Sequence, residues 1–330
     1  MNLIHNKNTN NPRINLALEE YCLKSLNRDD DCLIFYINEP SIIIGRNQNT
    51  IEEINQSYVL RNSIHVVRRN SGGGAVFHDL GNLNFSFITK HNKKYLFNFS
   101  IFTDPVIKVL NDLGIPAKLS GRNDIVANGY KISGNAQYSN EKKMLCHGTL
   151  LFDTNLDALE KSLNVDYAKI ESKGIKSIRN RVANIKDFLH QTMSIDILKE
   201  KLIESFCDFY PQMKSCELTD DDWKTIIDLS ENKYNSWNWN YGKSPTFNFQ
   251  MIRRFSFGKI DTRITVKEGY IKQIKIYGDF LGFKNLDDLE KQLIGVRFKS
   301  DDIFNTLKEI DLNDYIGNIT TDQFIQHLFL

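Results

Sequence analysis

Arg68-Arg69-Asn70-Ser71-Gly72-Gly73-Gly74-Ala75-Val76-Phe77-His78-Asp79 is the stretch on which the reading of this chain turns. Three consecutive glycines have no side chain to pack, and they weaken any strand or helix that contains them. Their use is steric. Backbone without Cβ atoms lets a ligand approach closely, and several N–H groups can point into one concavity. Such a nest suits a phosphate, a carboxylate or a developing oxyanion. Arg69, two residues before Ser71, adds a fixed positive fork for the same kind of group. The spacing matches neither G-x-x-x-x-G-K-[ST] nor G-x-G-x-x-G, so neither a P-loop nor a dinucleotide fingerprint is read here. Taken alone, the same residues also describe a turn with a solvated arginine pair.

Outward from this loop, strands and helices alternate. His65–Arg69 has strand character, and apolar residues at positions 14, 17, 18, 21, 22 and 26 predict an amphipathic helix over Ile14–Leu26. The runs LIFYI and SIIIG, joined through Pro40, predict buried strands. Thr50 and Glu53 fit a capping box opening a helix to about Arg61. Leu83, Phe85 and Phe87 alternate with Asn84 and Ser86, a strand with unlike faces. Helices are predicted over 104–113, with Pro105 in the first turn, and over 155–163, 180–189 and 194–209, the last capped by Ser194. The pattern breaks near 237–246, where Gly, Ser and Pro fall together. A boundary there gives a large domain over 1–243, a linker over about 244–249 and a small sheet-plus-helix module over 250–330. In that module Ile260, Thr262, Ile264 and Val266 alternate, Glu268-Gly269 turns the chain, and helices follow near 286–294, 301–309 and 320–329.

Two further stretches carry chemistry. Gly121-Arg122-Asn123-Asp124-Ile125-Val126-Ala127 leads into Asn128-Gly129, a strong hairpin signal because both residues accept positive φ. The return strand carries Lys131-Ile132-Ser133-Gly134. A lysine on a rigid strand is well positioned, and its compact ammonium can grip a carboxylate and a phosphoryl oxygen together. Asp124 offers the hard oxygen donor that a hydrated Mg²⁺ prefers. Read singly, Lys131 is also a solvated edge-strand residue. In Cys146-His147-Gly148-Thr149-Leu150, a thiol stands beside an imidazole. Neighbours on a strand point to opposite faces, so a buried Cys and a structural His are the expected pair. His78-Asp79 reads as local hydrogen bonding rather than part of a triad.

Composition limits the classes. Lys+Arg 42 against Asp+Glu 41 leaves a net charge of +1, which argues against a nucleic-acid-binding surface. No apolar run approaches the ~18 residues that a membrane span needs. The N-terminus lacks the apolar core of a signal peptide, and the 5 cysteines form no CxxC pair. A reduced, cytoplasmic protein is the expectation.

Taken together, the chain resembles the lipoate–protein ligase A family. The resemblance rests on Asn15–Glu20, Ile44–Asn49, Arg68–Gly81, Gly121–Asp124, Lys131–Gly134, His147–Leu151 and Trp237–Gly242, in order over nearly the whole length. It implies an α/β (α+β) architecture: a biotin/lipoate protein ligase-like catalytic domain with a class II synthetase-like sheet, and a small C-terminal α+β accessory domain. It implies two steps. Lipoate and ATP, with Mg²⁺, give lipoyl-AMP and pyrophosphate; a lysine of an acceptor then takes the lipoyl group and AMP leaves. The implied acceptors are the lipoyl domains of 2-oxoacid dehydrogenases and the glycine-cleavage H protein, with no role for nucleic acid or membrane. Lys131 is implied as the catalytic residue, touching both lipoate and ATP. Arg69, Gly74, Ala75, Val76 and Phe77 are implied to hold ATP. Arg69, Ser71, Gly72, Gly73, Leu16 and Leu18 are implied to line the lipoate tunnel, and Asp124 to hold the metal. Burying about eight carbons at roughly 0.8 kcal/mol per CH₂ favours medium-chain acids, yet separates lipoate from octanoate only bluntly. Loops near 69–76 or 172–181 are expected to close over the adenylate, and the C-terminal module to move between the steps. Two other readings stay open: an ATP-independent lipoyl or octanoyl transferase of the same fold acting through Cys146, and a non-catalytic lipoyl-domain binding protein.

Overall fold

The structure is a computed structural model, and it describes residues 1–26, 31–164, 181–241 and 249–329. Strands are numbered along the chain: β1 Asn2–Ile4, β2 Cys32–Ile37, β3 Ser41–Ile44, β4 His65–Arg68, β5 Val76–His78, β6 Asn82–Lys90, β7 Ala117–Ser120, β8 Asp124–Ala127, β9 Tyr130–Ser139, β10 Lys143–Leu151 and β11 Lys214–Cys216. Among the described residues, eight of them form one sheet in the order β11-β1-β2-β6-β10-β9-β8-β7, and β4-β3-β5 form a second. In the large sheet β1 runs parallel to β2 and β11, while the pairs from β2 to β7 are antiparallel.

β6 shows why the layers stack as they do. Leu83, Phe85 and Phe87 enter a core shared with the helices Ser100–Asp112 and Ile195–Phe209, where Phe87 lies 5.2 Å from Phe102 and Phe35 lies 6.0 Å from Phe206. Asn84 and Ser86 are also buried, on the opposite face. The alternation foretold unlike faces; the structure covers both. The polar face is covered by the small sheet and the first helix, Pro12–Lys24, and its polar groups are hydrogen-bonded, Asn84 to the Tyr36 carbonyl and Ser86 to Glu19.

Local signals held where the chemistry is local. Ser194 caps the helix that begins at Ile195; the first helix runs Pro12–Lys24, two residues earlier than Ile14–Leu26, with Asn11 as its cap. Asn128 and Gly129 take φ of 48° and 87° between β8 and β9. Three expectations fail. The helix predicted over 104–113 starts at Ser100, which leaves Pro105 inside it. The capping box at Thr50 does not form: Asn49 is the N-cap, the helix breaks after Glu53, and a second one, Gln56–Arg61, is capped by Asn55. Thr50 Oγ1 instead donates to the Asn240 carbonyl and accepts from Arg68, a tertiary demand that overrides the local one. Of the helix predicted over 180–189, the described part is a short 3₁₀ turn, Ile185–Phe188.

The C-terminal part has its own core. β12 Phe249–Phe255, β13 Gly258–Lys267 and β14 Tyr270–Gly278 form an antiparallel sheet packed by the helices Leu286–Leu293, Ser300–Leu307 and Thr321–Phe329. Residues 242–248, including most of the span read as a linker, lie outside the described residues; β12 already begins at Phe249. The module touches the large domain through the turn after β14. Gly278 N–H donates to the Asn47 carbonyl (2.7 Å), Gly73 N–H to the Phe280 carbonyl (3.1 Å) and Arg122 to the Asp279 carbonyl (3.3 Å), while Leu281 joins the core beneath the large sheet. Among the described residues, no helix is long and apolar enough to cross a membrane.

Candidate active site

A cavity opens between the two sheets. Tyr36, Asn84, Ala136, His147 and Thr149 line it from the large sheet; Ile43, Val76 and His78 line it from the small one, and Leu16 from the first helix. Its other walls are Arg69, the Gly73–Ala75 backbone, and Lys131 with Asn123 and Gly134. The glycine loop and the lysine therefore face one space.

Lys131 is positioned by its backbone and by a missing side chain. Its N–H donates to the Arg181 carbonyl (2.7 Å), and its carbonyl accepts from Ala183 N–H (3.1 Å). A register shift between Ile125 and Val126 marks a bulge in the hairpin here, a device that re-aims a side chain. A Cβ at Gly134 would stand 2.8 Å from Lys131 Nζ, so the amine lies where only glycine leaves room. Nζ pairs with Asp124 Oδ1 at 2.8 Å, both side chains about one-third exposed (33% and 30%). Asp124 thus holds the lysine, and it is not one of the lining residues.

The arginines serve the loop itself. Arg69 is 5% exposed. Its Nε donates to Ser71 Oγ, Nη1 to the Ile43 carbonyl, and Nη2 to the carbonyls of Gly72 and Gly74. Burial lowers its pKa to about 10, so it stays charged at neutral pH. The fork read as a ligand grip is engaged by the loop's own acceptors, and its charge reaches the cavity from there. Arg68 likewise binds the carbonyls of Gly45, Arg46, Gln48 and Trp239, tying the loop to the Trp237–Asn240 helix.

Beneath the cavity runs a buried polar chain. Glu19 accepts from Tyr36 Oη (2.8 Å) and Ser86, and lies 3.0 Å from His147 Nδ1; His147 Nε2 meets Ser71 Oγ at 2.6 Å. Burial alone would raise the Glu19 pKa, but the His147 charge and the hydrogen bonds outweigh it, and the carboxyl is held below its usual range. Next to it, Glu20 is pulled to about 2: burial opposes ionisation, but Lys233 at 2.6 Å and bonds from Lys24 and Tyr234 prevail.

Of the residues singled out in the sequence, Leu16, Arg69, Gly73, Gly74, Ala75, Val76 and Lys131 line this cavity. Leu18, Ser71, Gly72, Phe77 and Asp124 do not. Leu16 and Leu18 are two apart on a helix, so they cannot share a face, and Leu18 packs in the core. Phe77 alternates with Val76 and His78 on β5, and it enters the cluster of Ile42, Ile44 and Val66. Gly72 faces the C-terminal module, where its added Cβ would stand 2.6 Å from the Phe280 carbonyl. Ser71 bonds Arg69 and His147. Cys146 is fully buried on the opposite face of β10, and burial pushes its thiol well up. Sequence reasoning missed Tyr36, Asn84 and His147 as wall residues, and Glu19 beneath them. The available signal was an acidic residue among the apolar positions of the first helix.

Two family models cover the chain: the lipoyl protein ligase A/B catalytic domain matches residues 11–207, and the bacterial lipoate protein ligase C-terminus matches residues 244–328. The chain belongs to the lipoate–protein ligase family. The lipoate-protein ligase LplJ of Bacillus subtilis is 49% identical over 331 residues, covering 100% of both chains. Lipoate–protein ligase 1 of Staphylococcus aureus is 45% identical and covers 99% of each. Among solved structures, P. falciparum LipL1 in complex with lipoate superposes with a TM-score of 0.81 at 28% identity, covering 98% of this chain and 97% of that one. Lipoate-protein ligase A bound with ATP gives 0.63 at 31% identity, over 73% and 98%.

Proposed function

We infer that this chain is an ATP-dependent lipoate–protein ligase. The observation that carries the reading is the placement of the Lys131 amine and the Gly73–Gly74 backbone on one cavity wall system in a member of this family. A carboxylate is a poor acylating agent because oxide leaves badly. In the first step a lipoate oxygen bonds to the α-phosphorus of ATP, and the bond to the β-phosphate oxygen breaks, releasing pyrophosphate. In the second, a lysine amine of the acceptor bonds to the acyl carbon, the acyl–phosphate C–O bond breaks, AMP leaves and the amine gives up a proton. Lys131 is proposed to lie against the carboxylate and α-phosphate oxygens, reducing their mutual repulsion and stabilising charge that builds in both steps. Gly73 to Val76, charged from behind by Arg69, are proposed to hold the nucleotide. The acyl chain would lie over Leu16, Ile43 and Tyr36.

Among the described residues, no group of three or more His, Cys, Asp or Glu side chains is placed to hold a metal ion. Asp124 alone, already paired with Lys131, makes no cage. Mg²⁺ is therefore best read as arriving on the ATP phosphates with its own waters. The acceptors proposed are lipoyl domains of 2-oxoacid dehydrogenases and the glycine-cleavage H protein, and the catalytic unit is proposed to end near 243, with the accessory domain from 250. The cysteine-dependent transferase is disfavoured because, among the described residues, no cysteine lines the cavity.

The test is incubation with lipoate, MgATP and a panel of lipoyl domains. Pyrophosphate release and a lipoyl-sized mass gain on one acceptor lysine are expected; mass gain without ATP, from an acylated carrier, would favour the transferase. Gly45→Ala is a second check. Its methyl would stand 1.9 Å from the Gly73 carbonyl oxygen, so the loop must shift. Displacement on the order of an ångström can cost about a hundredfold in rate. Pyrophosphate release should fall by about that factor while circular dichroism keeps the native spectrum.

A further inference from the structure

We propose that His78 is a specificity-determining residue that donates its Nε2–H to a sulfur of the lipoate ring, so that this enzyme separates lipoate from octanoate by a hydrogen bond rather than by apolar burial. The proposal rests on the ligase reading above and names which end of the substrate His78 meets.

His78 is 4% exposed and lines the cavity. Its Nδ1 is bonded to Asn38 Nδ2 at 2.9 Å, while its Nε2 has no hydrogen-bond partner among the described residues. The position of the ring proton follows from a chain of asparagines anchored on a backbone carbonyl. The Thr9 carbonyl can only accept. Asn15 Nδ2 donates to it at 3.0 Å and to Asn38 Oδ1 at 2.9 Å, while Asn15 Oδ1 accepts from Asn6 Nδ2. That leaves the Asn38 amide nitrogen facing His78, so Nδ1 is the acceptor and the proton sits on Nε2. Burial, with the positive charges of Arg69 and His147 nearby, pushes the His78 pKa down to about 3. The ring is neutral and carries a single N–H, left without a partner in a buried wall. Such a donor costs free energy unless a ligand atom satisfies it.

Sheet register says which ligand atom that is. Gly134 on β9, over which the Lys131 amine lies, donates from its N–H to Thr149 Oγ1 on β10. Thr149 pairs with Asn84 on β6, and Asn84 pairs with Tyr36 on β2. Asn38, the partner of His78, follows β2 by one residue beyond Ile37. Lys131 and His78 therefore stand over strands three spacings apart, roughly 14 Å at about 4.8 Å per spacing. That is the span of an extended eight-carbon acyl group with one polar contact at each end. With the carboxylate at Lys131, the far end of the chain reaches His78. In lipoate that end carries two sulfurs, which are weak acceptors; in octanoate it carries only C–H. A pocket with a buried donor discriminates against the analogue that leaves it unpaired, an effect that burial of methylenes cannot supply.

The experiment measures kcat/KM for pyrophosphate release with lipoate and with octanoate, using the full-length enzyme, His78→Phe and His78→Gln. His78→Phe should lower the lipoate value about tenfold and leave the octanoate value equal or higher, so that the preference collapses. His78→Gln, which keeps an N–H donor, should recover part of it. Equal losses for both acids, or an unmoved ratio, would overturn the assignment and leave His78 a packing residue or a water site. If either variant fails to fold, the wild-type protein still decides. In ¹⁵N-histidine-labelled enzyme, the His78 Nε2–H resonance should move on adding lipoate and not on adding octanoate; identical responses overturn the proposal. Wild-type protein that binds both acids but releases no pyrophosphate contradicts the ligase reading instead, and the resonance comparison still judges His78.

Discussion

Lys131→Ala will lower the rate of lipoyl-AMP formation by about a thousandfold, the upper range for deleting one preorganised electrostatic contact to a charge-developing oxygen. The residue is 33% exposed at its side chain and adds nothing to the apolar core, so the variant will fold. Its backbone bonds to Arg181 and Ala183 are indifferent to the side chain. Transfer from chemically supplied lipoyl-AMP will fall as well, because the same amine is proposed to face the acyl–phosphate junction in both steps. Lys131→Arg will recover little. The fork is larger than the ammonium that now sits over Gly134, and it would project its donors differently. Single-turnover measurement of AMP and pyrophosphate separates the steps. A wild-type rate of adenylate formation in Lys131→Ala would remove the residue from the chemistry.

The second large effect concerns stability. His147→Ala takes away the partner of a fully buried carboxylate, and breaking such a pair from one side costs about 3–5 kcal/mol. The sign of the pH dependence follows. In the native protein the Glu19 pKa is lowered, so its contribution is present above the usual carboxylate range and is lost as pH falls through it. Without His147, burial is less strongly opposed and drives the carboxyl upward. The deficit is then largest near neutral pH and shrinks as the pH is lowered towards the raised value. Adding Glu19→Gln to His147→Ala should restore much of the loss, because a neutral amide replaces the stranded charge. Urea midpoints of the single and double variants between acid and neutral pH check this; a deficit independent of pH would mean that packing, not charge, is what His147 supplies.

What the sequence disclosed follows the reach of each interaction. The Asn128-Gly129 hairpin, the Ser194 cap and the amphipathic first helix are decided within a few residues, and they were legible. The C-terminal sheet was legible because the alternation after Ile260 restarts a strand pattern with its own hydrophobic set. The site was legible as a collection and not as a geometry. Lys131, Gly73 and Gly74 were chosen for chemistry that needs no partner elsewhere, and they do share a cavity. Leu18 and Phe77 came with the family resemblance, and helix and strand periodicity points them into the packed clusters instead of this cavity. Arg69 carries the right charge, but its guanidinium is taken up by the Ser71 hydroxyl and the carbonyls of Ile43, Gly72 and Gly74, which only the fold brings together. Glu19 and His147 are 128 residues apart, and nothing local tells one of the other.

The contact between Gly73 N–H and the Phe280 carbonyl has a consequence for how such an enzyme can be divided among genes. A polypeptide ending near residue 241 would expose the underside of its glycine loop and the apolar seat of Leu281. Supplied as a separate chain, the missing portion would have to reseat its Gly278–Leu281 corner before the loop regained its shape. Complementation by two fragments should thus track the sequence of that corner more closely than the rest of the smaller fragment's surface.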